Sequence, residues 1–166
     1  MRYFLIGFMG SGKSKVGKIV AEQLHLKYID LDEFIEESEQ RSISDIFNNS
    51  GENYFRKLEE KYFKEIIKDD NILVSTGGGT PTFHNLIETM NEVGETIYLE
   101  CCPEILFKRL HENKEKRPMI SELSDKSLKR YIENKLSERK IFYTKATHTI
   151  CNNKGDCSKG IVNLLR

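Results

Sequence analysis

The chain has 166 residues, 38% hydrophobic and 31% charged, with 26 Lys+Arg against 26 Asp+Glu. That is the length of one domain, and the composition is too apolar for a disordered chain. Zero net charge excludes a general nucleic-acid coat or a binder of anionic membrane surfaces. The apolar run at the N-terminus is too short to span a bilayer and lacks a signal-peptide pattern, so a cytoplasmic protein is expected. Cys101, Cys102, Cys151 and Cys157 have neither zinc-ligand spacing nor a secreted context. They read as reduced, structural thiols.

In chain order, Tyr3 to Ile6 reads as a strand, followed by a Gly-rich turn and a helix over about 13–24 with Val16, Ile19, Val20 and Leu24 on one stripe. Tyr28 to Leu31 is a short strand ending in acids, and helical segments follow over roughly 33–40, 43–49 and 52–68. Ile72 to Ser75 is the next strand and runs into Thr76 and three glycines. Thr96 to Glu100 is another, followed by a helix from about Pro103. Residues 112–127 are heavily charged and weakly periodic, and read as a mobile surface segment. A helix over about 126–142, a strand at about 147–151 and a short terminal helix complete the chain. Strands alternating with helices predict a three-layer α/β/α sandwich with a five-stranded parallel sheet. With no repeat or linker, residues 1–166 are expected to form one domain. Ligands should gather at the carboxyl ends of the strands.

Gly7-Phe8-Met9-Gly10-Ser11-Gly12-Lys13-Ser14 matches G-x-x-x-x-G-K-[ST] between a predicted strand and a predicted helix. Glycines let backbone N–H groups converge on phosphate oxygens, and the helix adds its positive end. Lys13 supplies a point charge to the β- and γ-phosphates, and Ser14 offers a hydroxyl to Mg²⁺. A nucleoside triphosphate is therefore the expected ligand.

Asp30-Leu31-Asp32 places two carboxylates on one side of an extended segment, facing the same crevice. One suits a metal-bound water and the other an acceptor hydroxyl, although Asp32 could also cap a helix beginning near Glu33. Arg56 can pair with Glu59 or Glu60 along its helix, or present a planar fork to a substrate carboxylate. Three glycines, Gly77 to Gly79, cost backbone entropy, so the backbone there should lie close to a ligand.

Together these residues resemble the shikimate kinases over nearly the whole chain. The resemblance rests on G-x-M-G-S-G-K-S, D-x-D, G-E-x-x-F-R-x-x-E, S-T-G-G-G, an R-P pair and a late R-x-x-x-Y, in the family's order. It implies a P-loop fold of the nucleoside-monophosphate-kinase type and transfer of the ATP γ-phosphoryl group to the 3-hydroxyl of shikimate. That reaction lies on the route to chorismate and aromatic amino acids. The resemblance further implies that Gly10, Ser11, Gly12, Lys13, Ser14 and Lys15 cradle the ATP phosphates. Ser14 would meet Mg²⁺, with Asp30 on the metal side through a water. Asp32 would bind the shikimate hydroxyls and act as the base. Arg56 and Arg139 would clamp the carboxylate, and Gly78 and Gly79 would donate under the ring. Arg117, on a lid over about 112–127, would reach the phosphates, and Arg109 would lie against adenine. The substrate-binding helical segment would be about 32–60. Lys15 stands where the family commonly has Thr or Ser, and residues 152–156 lack a frequent proline of the adenine loop.

The chemistry read from the residues is phosphoryl transfer to a small anionic acceptor by positioning and charge neutralisation. Lys13, Arg117 and Asp32 are the catalytic candidates, and a monomer needing neither nucleic acid nor membrane is expected. The phosphate loop alone would equally suit a gluconate or nucleoside monophosphate kinase, or a nucleotide-dependent regulatory module. Neutrality also conceals a division: residues 30–60 carry ten acids and three bases, whereas 108–140 carry eleven bases and six acids.

Overall fold

The structure is a computed structural model that describes residues 1–114, 117 and 119–166. Its sheet has five parallel strands, β1 (Arg2–Ile6), β2 (Lys27–Asp30), β3 (Ile72–Ser75), β4 (Glu95–Glu100) and β5 (His148–Cys151), in the order β2-β3-β1-β4-β5. The helices are α1 (Lys13–Gln23), α2 (Leu31–Glu39), α3 (Ile43–Ile66), α4 (Leu86–Val93), α5 (Pro103–Glu112), α6 (Asp125–Tyr143) and α7 (Ser158–Leu165). Successive side chains on β1 go to opposite faces, as the strand period of two requires. Tyr3 and Leu5 pack with Val16 and Val20 of α1 and Ile161 and Val162 of α7. Phe4 and Ile6 join the larger core, to which α3 contributes Phe63, α4 Met90, α5 Leu106 and α6 Ile132. These are the three layers expected, and they bury strands on both faces.

β1 pairs with β3 on one side and β4 on the other. The connection from β1 runs toward β2 on one side and that from β4 toward β5 on the other, opening a crevice at the carboxyl end of β1, where the phosphate loop begins.

Three local features differ from the sequence reading. β2 ends at Asp30, and Leu31 already opens α2, so the two acids do not share an extended segment. Asp30 is the N-cap, accepting from the N–H groups of Asp32 and Glu33 at 3.1 and 3.5 Å. The cap therefore falls to Asp30 rather than Asp32. Second, α4 has no counterpart among the predicted elements. Third, the segment 112–127 is not all surface: Ile120 is fully buried, and Asp125 begins α6. Residues 115, 116 and 118 of that segment lie outside the described residues. The helical pieces at 43–49 and 52–68 form one continuous element, yet Gly51 breaks it with φ 79° and ψ 170°. The sequence division at this glycine has a backbone cause.

Candidate active site

A cleft of about 390 Å³ opens where the phosphate loop, the β2–α2 junction and the glycines after β3 meet. Met9, Gly10, Gly12, Lys13, Ser14 and Lys15 line one side; Asp30, Asp32, Thr76, Gly77 and Gly78 line the other; Arg109, Asn113 and Arg117 close over it. The loop's shape follows from Gly10 and Gly12, at φ +81° and +95°, where an L side chain would be strained. Lys13 turns its ammonium back into the loop, donating to the carbonyls of Gly7 and Phe8 at 2.8 and 3.0 Å. Burial lowers its pKa to about 8, and Asp32 and Asp30 oppose that shift.

Two groups outside the loop motif hold it in place. Asn152, after β5, is buried and donates to the Ser11 carbonyl at 2.7 Å. Arg109 of α5 donates to Gly10 O at 3.2 Å and to Asn152 O at 2.7 Å. Both of its terminal nitrogens are engaged with carbonyls, so what it can offer a nucleobase is its flat face.

Ser14 donates to Asp30 Oδ2 at 2.9 Å, so the hydroxyl and the carboxylate proposed to share a metal are neighbours. The described residues contain no group of three His, Cys, Asp or Glu that could hold a metal unaided. A hydroxyl and one carboxylate fit Mg²⁺ arriving with a nucleotide, since that ion keeps waters and phosphate oxygens as its main ligands. Asp32 is different. It is half-buried, with Oδ1 sealed from solvent and making no hydrogen bond among the described residues. Burial raises its pKa to about 7; Glu59 and Asp30 push it further up, and Lys13 and Arg56 push it back. A carboxyl so poised titrates near neutrality, as a proton acceptor requires.

The three glycines are explained by what they touch. A Cβ on Gly77 would stand about 3 Å from Thr80 Oγ1, Asp32 Oδ1 and Glu59 Oε1. One on Gly78 would meet Arg139 Nη1 at 3.2 Å, and one on Gly79 would strike Arg56 Nη2 at 2.5 Å. Consecutive glycines thus bring Asp32, Arg139 and Arg56 against one stretch of bare backbone.

Arg56 is buried with Phe83 beneath its guanidinium at 4.2 Å. Of the pairings expected along α3, the Glu59 pairing is formed and the Glu60 pairing is not. Glu59, fully buried, takes Nη1 at 2.5 Å, and Glu52 takes Nε and Nη2 at 3.3 and 3.1 Å. Glu60 pairs instead with Lys64 and His84. A guanidinium has five N–H groups. These partners use three, leaving one N–H on each terminal nitrogen for a further acceptor such as a carboxylate. Glu59 is held in turn by the Thr80 hydroxyl at 2.5 Å. Sequence reading treated Glu59 only as a helix-surface pair and passed over Thr80 and Asn152. The i+3 spacing from Arg56 was the available signal for Glu59, and no local signal marks the other two. Arg139 stands over Phe8 at 5.5 Å. Arg117 is half-buried at the mouth of the cleft, and burial pulls its pKa below the usual guanidinium value.

A family model described as shikimate kinase matches residues 9–165. The chain belongs to the shikimate kinase family. A shikimate kinase of Azobacteroides pseudotrichonymphae is 44% identical over 165 residues, covering 99% of this chain and 97% of that one. Among solved structures, the shikimate kinase of Bacteroides thetaiotaomicron superposes with a TM-score of 0.93 at 36% identity, covering 99% of this chain and 96% of that one. The Acinetobacter baumannii shikimate kinase, solved in complex with shikimate, gives 0.89 at 28%, covering 99% and 90%. Family membership supports the P-loop kinase architecture and accounts for the phosphate loop and the Asp30–Asp32 pair facing one cleft.

Proposed function

We propose that the chain transfers the γ-phosphoryl group of ATP to the 3-hydroxyl of shikimate, giving shikimate 3-phosphate and ADP on the route to aromatic amino acids. The observation that carries this is the run of glycines that sets Asp32, Arg139 and Arg56 beside the phosphate loop. One polar wall thereby offers an acceptor for a hydroxyl proton and two cations for a carboxylate. A relative solved with shikimate supports the same choice over gluconate or a nucleoside monophosphate.

In this reading Gly10 to Lys15 bind the ATP phosphates, and Lys13 leaves its two carbonyl partners to meet them. Mg²⁺, held by Ser14 and by Asp30 through a water, offsets charge on the β- and γ-phosphates when bound. Asp32 orients the 3-hydroxyl and takes its proton as the phosphoryl group moves in line. Arg56 and Arg139 fix the carboxylate, and the Gly78 and Gly79 N–H groups support the ring. Arg117 neutralises the transferring group, while the segment 112–127 acts as a lid that excludes water as a competing acceptor. Arg109 covers the adenine with its face, and residues 152–156 border the base. The helical segment 32–60 forms the shikimate side of the cleft. Among the described residues no helix is long and apolar enough to cross a membrane; a cytoplasmic monomer completes the reading.

A coupled assay of ADP release tests it, with shikimate, gluconate and nucleoside monophosphates offered in turn, each with and without Mg²⁺. Shikimate alone should stimulate release, and only with Mg²⁺. No stimulation by shikimate would defeat the assignment.

A further inference from the structure

Tyr143, the last residue of α6, is fully buried, yet its hydroxyl reaches the glycine loop, donating to the Gly78 carbonyl at 2.5 Å. The ring is held by stacking on Tyr98, with centroids 5.0 Å apart and planes inclined at 29°. Arg139 lies one helical turn earlier and so projects from the same face. Its Nη1 lies against the same glycine, 3.2 Å from where a Gly78 Cβ would stand. A phenol oxygen that donates once keeps lone pairs free, so the hydroxyl can also accept from the neighbouring guanidinium. Burial drives the Tyr143 pKa up to about 12, which keeps the donor proton in place throughout the working range.

The consequence lies in the peptide joining Gly78 to Gly79. In a trans peptide the carbonyl and the following N–H point in opposite directions. Anchoring the Gly78 carbonyl down onto Tyr143, in the core, therefore turns the Gly79 N–H away from the core. Neither the Gly78 nor the Gly79 N–H has a backbone acceptor among the described residues. Arg56 and Arg139 border the same glycines.

We propose that Tyr143 is a positioning residue: its hydroxyl ties Gly78 to Arg139, so that the Gly79 N–H and the Arg139 guanidinium are aimed together at the carboxylate-bearing side of the substrate before it arrives. This rests on the shikimate reading given above and adds a group that acts only through others. Without the hydroxyl the peptide is free to rotate, and substrate binding has to select the productive orientation.

Tyr143→Phe removes one oxygen and leaves the stack with Tyr98. The shikimate KM should rise about tenfold, the scale of one lost oriented hydrogen bond to a charged partner, with the MgATP KM unchanged. Tyr98→Phe removes a buried hydroxyl from the adjacent ring without touching Gly78 or Arg139, and should leave the shikimate KM alone. A merely structural role for Tyr143 would lower the melting temperature without moving that KM, and this result overturns the proposal. Absence of shikimate-dependent ADP release in the unmodified protein overturns both this inference and the proposed function. An unchanged KM in the variant of an active parent overturns this one alone. A second measurement needs no variant. In protein labelled with ¹⁵N-glycine, which has eleven glycines, adding shikimate should shift the Gly79 amide. A Gly79 amide indifferent to saturating shikimate also overturns the proposal.

Discussion

Replacing Arg56 by alanine should damage stability and substrate binding by separable routes. The Arg56 side chain is 8% exposed and that of Glu59 1%, and they meet at 2.5 Å. Removing the guanidinium leaves the Glu59 carboxylate buried with only the Thr80 hydroxyl for company. Stranding one partner of a buried ion pair costs about 3–5 kcal/mol. For a chain of this size each kcal/mol moves Tm by about 2–4 °C, so Arg56→Ala should melt roughly 6–20 °C below its parent. Separately, the two N–H groups left for a carboxylate disappear. Charged hydrogen bonds contribute about 1.5–3 kcal/mol each, so losing both should raise the shikimate KM about a hundredfold or more while the MgATP KM is retained.

The double variant Arg56→Ala/Glu59→Gln distinguishes the two routes. It removes the stranded charge and should recover much of the lost Tm, while the shikimate KM stays high. Thermal unfolding and the coupled ADP assay on all three proteins provide the comparison. If the double variant restores the KM along with the Tm, Arg56 serves the fold and not the substrate. If the single variant melts with its parent, Glu59 is not stranded and the pairing has been misjudged.

Asp32→Asn should keep ATP binding but lose kcat by about 10²-fold or more, as expected when a general base is removed; near-normal turnover would take Asp32 out of the chemistry. The same substitution bears on stability, because the folded pKa of about 7 lies above the ordinary 3.8. Between those values the folded state holds a proton that the unfolded state releases, so this contribution is complete below about pH 4 and is lost as pH rises through 7. In urea unfolding of metal- and nucleotide-free protein, the parent should weaken from pH 5 to 8 more than the Asn variant, and parallel profiles would refute the burial argument. Gly79→Ala places its Cβ on Arg56 Nη2 at an ordinary φ of −91°, so it should raise the shikimate KM by pushing the guanidinium aside; an unchanged KM would show that Arg56 yields freely. Asn152→Ala releases the Ser11 carbonyl and should raise the MgATP KM about tenfold with the shikimate KM unchanged, as steady-state kinetics would show.

Much of the fold is legible locally. The phosphate loop, the five strands and the break at Gly51 are written in short-range pattern: Gly and Lys at fixed spacing, a period of two, a residue that accepts positive φ. The misreading at Asp30 also had a local remedy, because Asp30 followed by Glu33 has the spacing of an N-cap and its third helical position. Strand alternation and helix capping compete at this position, and capping prevails. α4 was harder to see: it has only eight residues and is entered through His84 and Asn85, both at positive φ. The partners of Arg109, the Thr80–Glu59 bond and the brace from Asn152 join residues 21 to 141 positions apart. No periodicity carries such information. It arises only when the strand order sets β3 and β4 on either side of β1, with β5 beyond β4.

The charge division in the sequence acquires a different sense in the structure. Many of the acids over 30–60 are already committed: Glu59 and Glu52 to Arg56, Glu60 to Lys64, Asp30 to the start of α2. Asp32 is not: it lies half-buried near Lys13, with one oxygen sealed from solvent and unpaired among the described residues. Burial is the leading cause of both their shifts, raising the acid to about 7 and lowering the ammonium to about 8. Each is thereby brought toward neutrality, so the cleft holds its two central charges at a cost that ligands can relieve. Polyphosphate beside Lys13 favours the charged ammonium but opposes the charged carboxylate. Arg117 and Arg139, whose fields already reach Lys13, are the cations placed to offset that opposition. In the proposed function, ionisation of Asp32 beside a bound nucleotide therefore depends on these arginines.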